Sequence, residues 1–232
     1  MQSSLKHTLR EAFIATTPVM AGYIVLGMGF GILLSARGYG FGWALAMSGF
    51  IYAGSMQYLA IDLLTGGASL ITAALTTLLV NARHLFYGIS MVEGYKGMGK
   101  KKPYAIFALT DETYSLVCQD DQHPDRESFH SYAFWASLFD QCYWITGSMI
   151  GSLLGGVIPF DVTGIDFSLT ALFVTVFIEQ WLSTKDHLSA IIGVAASVLC
   201  LLVFGADSFL IPSMIAILLA LTILRAVRKE AA

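Results

Sequence analysis

Asn81, Arg83 and His84 fall within four residues of one another, inside a stretch that is otherwise apolar from Ala68 to Val92. A guanidinium at membrane depth costs at least ~2.5–3.5 kcal/mol and needs a partner or a water-filled cavity. Its planar fork matches a carboxylate. Arg83 is therefore either the receptor for a substrate carboxylate or half of a structural ion pair, for which Asp111 and Glu112 are the nearest acids. On a helix, Thr77, Asn81 and His84 share one face. Such a stripe could hold a solute, conduct a proton, or join helices by hydrogen bonds that contribute ~0.6 kcal/mol each.

Gly54-Ser55 interrupts another apolar stretch just before Gln57. A helix starting there would aim free backbone N–H groups at an anion. The amides of Gln57 and Gln180 could then meet the other atoms of a zwitterion. The alternative is a packing notch at Gly54 plus one hydrogen-bonded Gln57. Asp140 and Glu179 are acids inside apolar runs, and with Asp111 and Glu112 they are the candidates for proton coupling or ion pairing. Glu179 could equally be solvated at a helix end, and Asp62 lies at the end of its stretch.

Other chemistries find no support. There is no Walker loop, dinucleotide fingerprint or zinc signature, so no cofactor, metal or nucleic acid is expected. Cys118, Cys142 and Cys200 are odd in number and lack a Cys-x-x-Cys spacing, which reads as three small buried hydrophobes. His84 has no acid one turn away and no serine or cysteine elbow, so an intramembrane enzyme is not indicated.

The elements that must position these residues are membrane helices. The 232-residue chain is 56% hydrophobic and 12% charged, with a mean hydropathy of +0.70; soluble domains carry about twice that charged share. Its net charge of -3 says little, because placement of Lys and Arg decides orientation. The polar arm Met1–Glu11 lacks the apolar core and cleavage site of a secretory signal. Apolar blocks near the ~20 residues of a spanning helix lie at Ala12–Ala36, Gly42–Leu64, Ala68–Val92, Tyr132–Val157, Ser168–Leu182, His187–Phe204 and Ser208–Leu224. In the first, Gly27-x-x-x-Gly31 is a helix-contact motif or marks a broken helix. Between Val92 and Tyr132 come Lys96, Lys100-Lys101-Lys102, a short apolar segment at Tyr104–Cys118, and an acidic loop. If that segment does not cross, Arg37, Lys96, Lys100, Lys101, Lys102, Arg126, Lys185, Arg225, Arg228 and Lys229 share one side, opposite only Lys6 and Arg10. If it crosses, the split is far more even. The positive-inside rule therefore favours seven spans with the N-terminus outside and 104–118 re-entrant or interfacial.

A gapless offset of 123 residues aligns Phe50 with Phe173, Gln57 with Gln180, Leu59 with Leu182, Ala73 with Ala196, and Leu78-Leu79-Val80 with Leu201-Leu202-Val203. This is the mark of a 3+3 repeat whose halves have opposite orientation, as in transporters. The fold expected is an all-α polytopic membrane protein in one transmembrane domain. Its parts would be a first half at 12–92, a cytoplasmic loop with a short helical segment at 93–131, a second half at 132–204 and a terminal helix at 208–224.

Gly22-Tyr23-Ile24 through Gly31, Tyr52-Ala53-Gly54-Ser55-Met56-Gln57, Val80-Asn81-Ala82-Arg83-His84, Leu109-Thr110-Asp111-Glu112-Thr113 and Phe167 through Gln180 resemble the AzlC family over nearly the whole chain. The family more often has Phe and Ala at the places of Tyr52 and Met56, and Leu at that of Ala82. Met56 in place of a small residue could alter the size of solute accepted. The resemblance implies export of leucine, isoleucine, valine and, as a further candidate, methionine from a bacterial cytoplasm across the inner membrane. It also implies a separate, small AzlD-type membrane subunit. A non-transporting scaffold or regulatory subunit, whose polar residues only assemble helices, is the reading of a different class.

Overall fold

A computed structural model describes residues 2–118, 125–157, isolated positions between 167 and 182, 186–205 and 209–230. Every regular element among the described residues is helical. They form two compact units, Met1–Leu169 and Thr170–Ala232.

In the first unit, helix α1 (Gln2–Ala36) and helix α8 (Arg126–Val157) form the central pair. The N-terminal arm is helical and continuous with the first span rather than a separate interfacial piece. Pro18 lies inside α1, where Thr16 and Thr17 on the preceding turn donate their hydroxyls to the Phe13 carbonyl at 3.1 and 2.9 Å; such local partners let a membrane helix tolerate proline. The two helices touch backbone to backbone. A Cβ on Gly27 would stand 2.9 Å from the Trp144 carbonyl oxygen, and one on Gly147 2.6 Å from that of Ile24. Gly31 and Gly151 are closer still to the facing backbone. The Gly27-x-x-x-Gly31 motif is thus a contact surface for α8, and α1 is not broken there.

The second and third apolar blocks are each split. Helices α2 (Phe41–Phe50) and α3 (Gly54–Thr65) share the second, and α4 (Leu70–Val80) and α5 (Ala82–Ser90) the third. The first break falls where Gly54-Ser55 predicts it. The second is a one-residue interruption at Asn81, across which Asn81 N–H still bonds the Thr77 carbonyl at 3.1 Å and His84 N–H the Asn81 carbonyl at 2.9 Å. Tyr52 creates the first break: it is the only described non-glycine residue with positive φ, at 43°. A bulky side chain held there stores strain of ~1–3 kcal/mol, and such residues concentrate at functional sites. The segment 104–118 contains two short helices, α6 (Lys102–Phe107) and α7 (Asp111–Val117). At ~1.5 Å per residue, neither is long enough to cross hydrocarbon ~30 Å thick.

Phe30, Tyr58 and Trp144 centre one buried cluster, and Met91, Tyr95 and Phe129 a second. Large apolar side chains meanwhile cover the outside: Phe50, Leu70 and Val157 are each more than four-fifths exposed. A surface of that kind is unusual in a water-soluble monomer. One described helix, Lys6–Ala36, is long and apolar enough by itself to cross a membrane. Cys118 and Cys142 are exposed and Cys200 is half-buried, so the expectation that all three are buried is not met.

The second unit contains α9 (Leu188–Phe204) and α10 (Leu210–Glu230), packed together. Trp181 stacks on His187 with ring centroids 4.1 Å apart. Glu179 and Gln180 lie outside the described residues.

Candidate functional site

The starts of three helices, α3, α5 and α7, are drawn together by one side chain. Arg83, on the first turn of α5, donates through Nη1 to Asp111 Oδ2 on the first turn of α7 and through Nη2 to Ser55 Oγ at 2.7 Å on the first turn of α3. The planar guanidinium reaches the two partners in divergent directions from one stem with its donors fixed in place. Arg83 and Asp111 are 32% and 22% exposed, so the pair sits at an accessible place rather than in the core. The residues at the N-caps of α3 and α5, Ala53 and Asn81, supply no side-chain cap. Helix N-termini carry about half a positive charge each; at α5 the His84 N–H is taken by the Asn81 carbonyl at 2.9 Å. Helix α7 is capped differently: Thr110 Oγ1 accepts the Thr113 N–H at 3.3 Å, and Asp111 and Glu112 fill its first turn.

Behind this layer lies a buried polar network. Tyr23 from α1 donates its phenol to Glu112 Oε2 at 2.6 Å and also lies 2.7 Å from Thr110 Oγ1. Thr113 donates to Asp140 Oδ2 of α8 at 2.8 Å. Gln57 is fully buried: its Oε1 accepts from Trp144 Nε1 at 2.8 Å and its Nε2 donates to Ser48 Oγ at 3.2 Å. The carboxyl end of α2 is met by Gln141, whose Nε2 donates to the Gly49 carbonyl at 3.1 Å. His84 packs on Tyr87, and its Nδ1 lies 3.2 Å from the Asn81 carbonyl.

The sequence-derived residues therefore separate into groups. Gly54, Ser55, Asn81, Arg83, Asp111 and Glu112 meet at the converging helix starts, with His84 one residue along α5. Gln57 and Asp140 belong to the buried layer, and the amide of Gln57 is engaged between helices α2, α3 and α8 rather than open to a solute. Glu179 and Gln180 are outside the described residues. The sequence alone did not show that Tyr23, Thr113 and Trp144 belong to the buried layer behind the site, nor that Tyr52 stands at the first break. Trp144 carried a signal, since a buried indole N–H requires an acceptor. Gly54 is small for the same indole, as a Cβ there would stand 3.0 Å from Trp144 Cη2.

Seven buried side-chain polar atoms among the described residues have no protein partner, and five belong to this region: Tyr52 Oη, Asn81 Oδ1, Arg83 Nε, Asp111 Oδ1 and Asp140 Oδ1. Each such group costs ~1–3 kcal/mol unless it is satisfied. A cluster of them, containing both donors and acceptors, suits a polar solute that both accepts and donates.

A family description, AzlC protein, matches residues 18–158. The chain is 42% identical over 224 residues, covering 97% of it and 88% of the relative, to a Bacillus subtilis protein named branched-chain amino acid transport protein AzlC. It is 40% identical over 218 residues to an uncharacterized membrane protein of Helicobacter pylori, covering 93% and 94% of the two chains. A protein of Escherichia coli named inner membrane protein YgaZ is 26% identical over 200 residues, covering 82% and 81%. No solved structure matches. The match over most of the chain places this membrane protein in the AzlC family.

Proposed function

We propose that this protein is the large subunit of a secondary transporter that exports leucine, isoleucine and valine, with methionine as a further candidate, by alternating access. The observation that carries the reading is the group of unpartnered donors and acceptors around Arg83. The Arg83 Nε–H and the start of α3 would receive a substrate carboxylate. The oxygens of Asn81 and Asp111 would receive its ammonium group. The name of the Bacillus subtilis relative supports the substrate class, and that of the Escherichia coli relative supports an inner-membrane location. Seven spans with the N-terminus outside, in an inverted 3+3 repeat plus a terminal helix, remain the preferred organisation, with a small AzlD-type subunit as partner. The paired breaks at Tyr52 and Asn81 suit such a fold, since discontinuous helices line transporter sites.

The test is counterflow of labelled leucine into leucine-loaded proteoliposomes, with and without the small subunit. Uptake against the label gradient is expected with the pair, and its loss in Arg83→Ala. A second reading, a non-transporting scaffold, is favoured by one observation, the engaged amide of Gln57. Absence of counterflow with the partner present would leave that reading standing.

A further inference from the structure

Three hydroxyls join two carboxyls without a gap. Glu112 Oε2 lies 2.6 Å from Tyr23 Oη, which lies 2.7 Å from Thr110 Oγ1. Thr110 Oγ1 is 3.1 Å from Thr113 Oγ1, and that is 2.8 Å from Asp140 Oδ2. Tyr23, Thr110, Thr113 and Asp140 are all buried, while Glu112 is half-buried. The chain of contacts thus runs from the helix-start layer into the packed interior of α8.

Counting hydrogens shows what this chain does. It has four contacts but only three hydroxyl hydrogens, because Ser, Thr and Tyr each donate once. All four contacts are made with no hydrogen left over when one carboxyl, and only one, supplies a fourth hydrogen. With that hydrogen on Glu112, every hydroxyl points toward Asp140. With it on Asp140, every hydroxyl points back. Thr110 Oγ1 can accept the Thr113 N–H in either arrangement, since a hydroxyl oxygen has two lone pairs.

We infer that Glu112, Tyr23, Thr110, Thr113 and Asp140 form a two-state relay holding a single shared proton, and that this relay couples solute movement to proton movement. The inference rests on the transporter reading above and adds to it the path and the coupling ion. In the transfer, the O–H bond of Glu112 breaks, each hydroxyl passes its proton forward while receiving one from behind, and an O–H bond forms on Asp140. Nothing is oxidised or reduced, and the pair keeps one negative charge throughout. The charged and titratable groups that face the relay are Asp111 and Tyr87 beside Glu112, with Arg83 beyond Asp111, and Tyr52, Tyr104 and Tyr132 around Asp140. Asp111 supplies the link to the solute. With the site empty, the negative charge of Asp111 beside Glu112 favours the shared proton at the Glu112 end. The solute's ammonium group on Asp111 Oδ1 weakens that like charge and releases the proton toward Asp140, and departure of the solute draws it back.

The experiment uses the full chain with its small subunit in proteoliposomes, and compares wild type with Tyr23→Phe, Thr113→Val and Thr113→Ser. Leucine counterflow, which needs no net proton movement, reports the transporter. Net leucine movement driven by a pH difference, read with an enclosed pH dye, reports the relay. Tyr23→Phe and Thr113→Val should keep counterflow and lose the pH-driven component, and Thr113→Ser should restore it. Retention of the pH-driven component in Tyr23→Phe and Thr113→Val overturns the relay and leaves the transporter intact. So does loss of counterflow in both variants, which would make the hydroxyls structural. If wild type shows no counterflow, the transporter reading fails, and infrared difference spectra across a pH titration decide the relay alone. One carboxylic C=O band, altered by Glu112→Gln, by Asp140→Asn and by Tyr23→Phe, is expected. A band from either acid that ignores Tyr23→Phe overturns it.

Discussion

Replacing Arg83 by methionine removes a charge from an accessible junction and unties three helix starts at once. Arg83 donates to Asp111 and to Ser55, and each hydrogen bond to a charged group contributes ~1.5–3 kcal/mol net. Deleting one partner of a fully buried pair costs ~3–5 kcal/mol. Here the partners are 32% and 22% exposed, so water takes over part of the load, and Arg83→Met should cost about 2–3 kcal/mol. Most of that penalty is the carboxylate left behind on Asp111. Arg83→Met combined with Asp111→Leu should therefore return to within about 1 kcal/mol of wild type, the residue being the lost bond to Ser55. Transport should behave in the opposite way and be absent from both variants, because neither can hold a substrate carboxylate. Stability would be read by reversible unfolding in mixed detergent micelles, and transport by leucine counterflow. Counterflow restored by the double substitution would refute the receptor role of Arg83 and leave it a structural tie. A single substitution as stable as wild type would instead refute the claim that it holds the junction.

Gly151→Ala should destabilise the protein by about 1–3 kcal/mol through overpacking against Met28, whereas Gly156→Ala, with nothing within 4 Å of its added methyl, should be neutral or stabilising in the same unfolding assay. Trp144→Phe leaves the buried Oε1 of Gln57 without its donor and should cost ~1–3 kcal/mol; adding Gln57→Leu should recover part of it, and failure to do so would mean the indole acts by packing alone. Leucinamide, a cation, and 4-methylpentanoate, an anion, should each inhibit leucine counterflow far less than isoleucine does. Equal inhibition by the anion would show that the ammonium group is not read.

What the sequence made legible follows from where the physics is local. Gly54-Ser55 before Gln57 announces a helix start, because glycine in an apolar run weakens the helix and exposes backbone. Lys102-Pro103 likewise marks the start of α6, where proline loses no bond. The need of Arg83 for a partner follows from desolvation alone, and Asp111 is found beside it. The break at Asn81 was not legible, since Leu78-Leu79-Val80 on one side and Ala82 on the other continue a helix equally well. Nor could the positive φ of Tyr52 be read, because a tyrosine takes that conformation only when its surroundings impose it. Tyr23, Thr110 and Thr113 stood in motifs that were noticed, but their link to Asp140 depends on the glycine contacts that bring α1 against α8. Gln57 offered two readings from sequence, and only the positions of Ser48 and Trp144 separate them.

The charges at the junction close on themselves in a way that restricts what can enter. Arg83 and Asp111 cancel. Glu112 and Asp140, sharing one proton, hold one negative charge, and Glu112 lies in the first turn of α7, at its positive end. A zwitterion leaves that balance unchanged, and on the proposed function each of its charged groups meets an atom that no protein group satisfies. An anion or a cation of the same shape would place an uncompensated charge in a partly buried site, where the cost is several kcal/mol. On the proposed function, recognition of the amino-acid head group therefore rests on charge balance as much as on any single hydrogen bond.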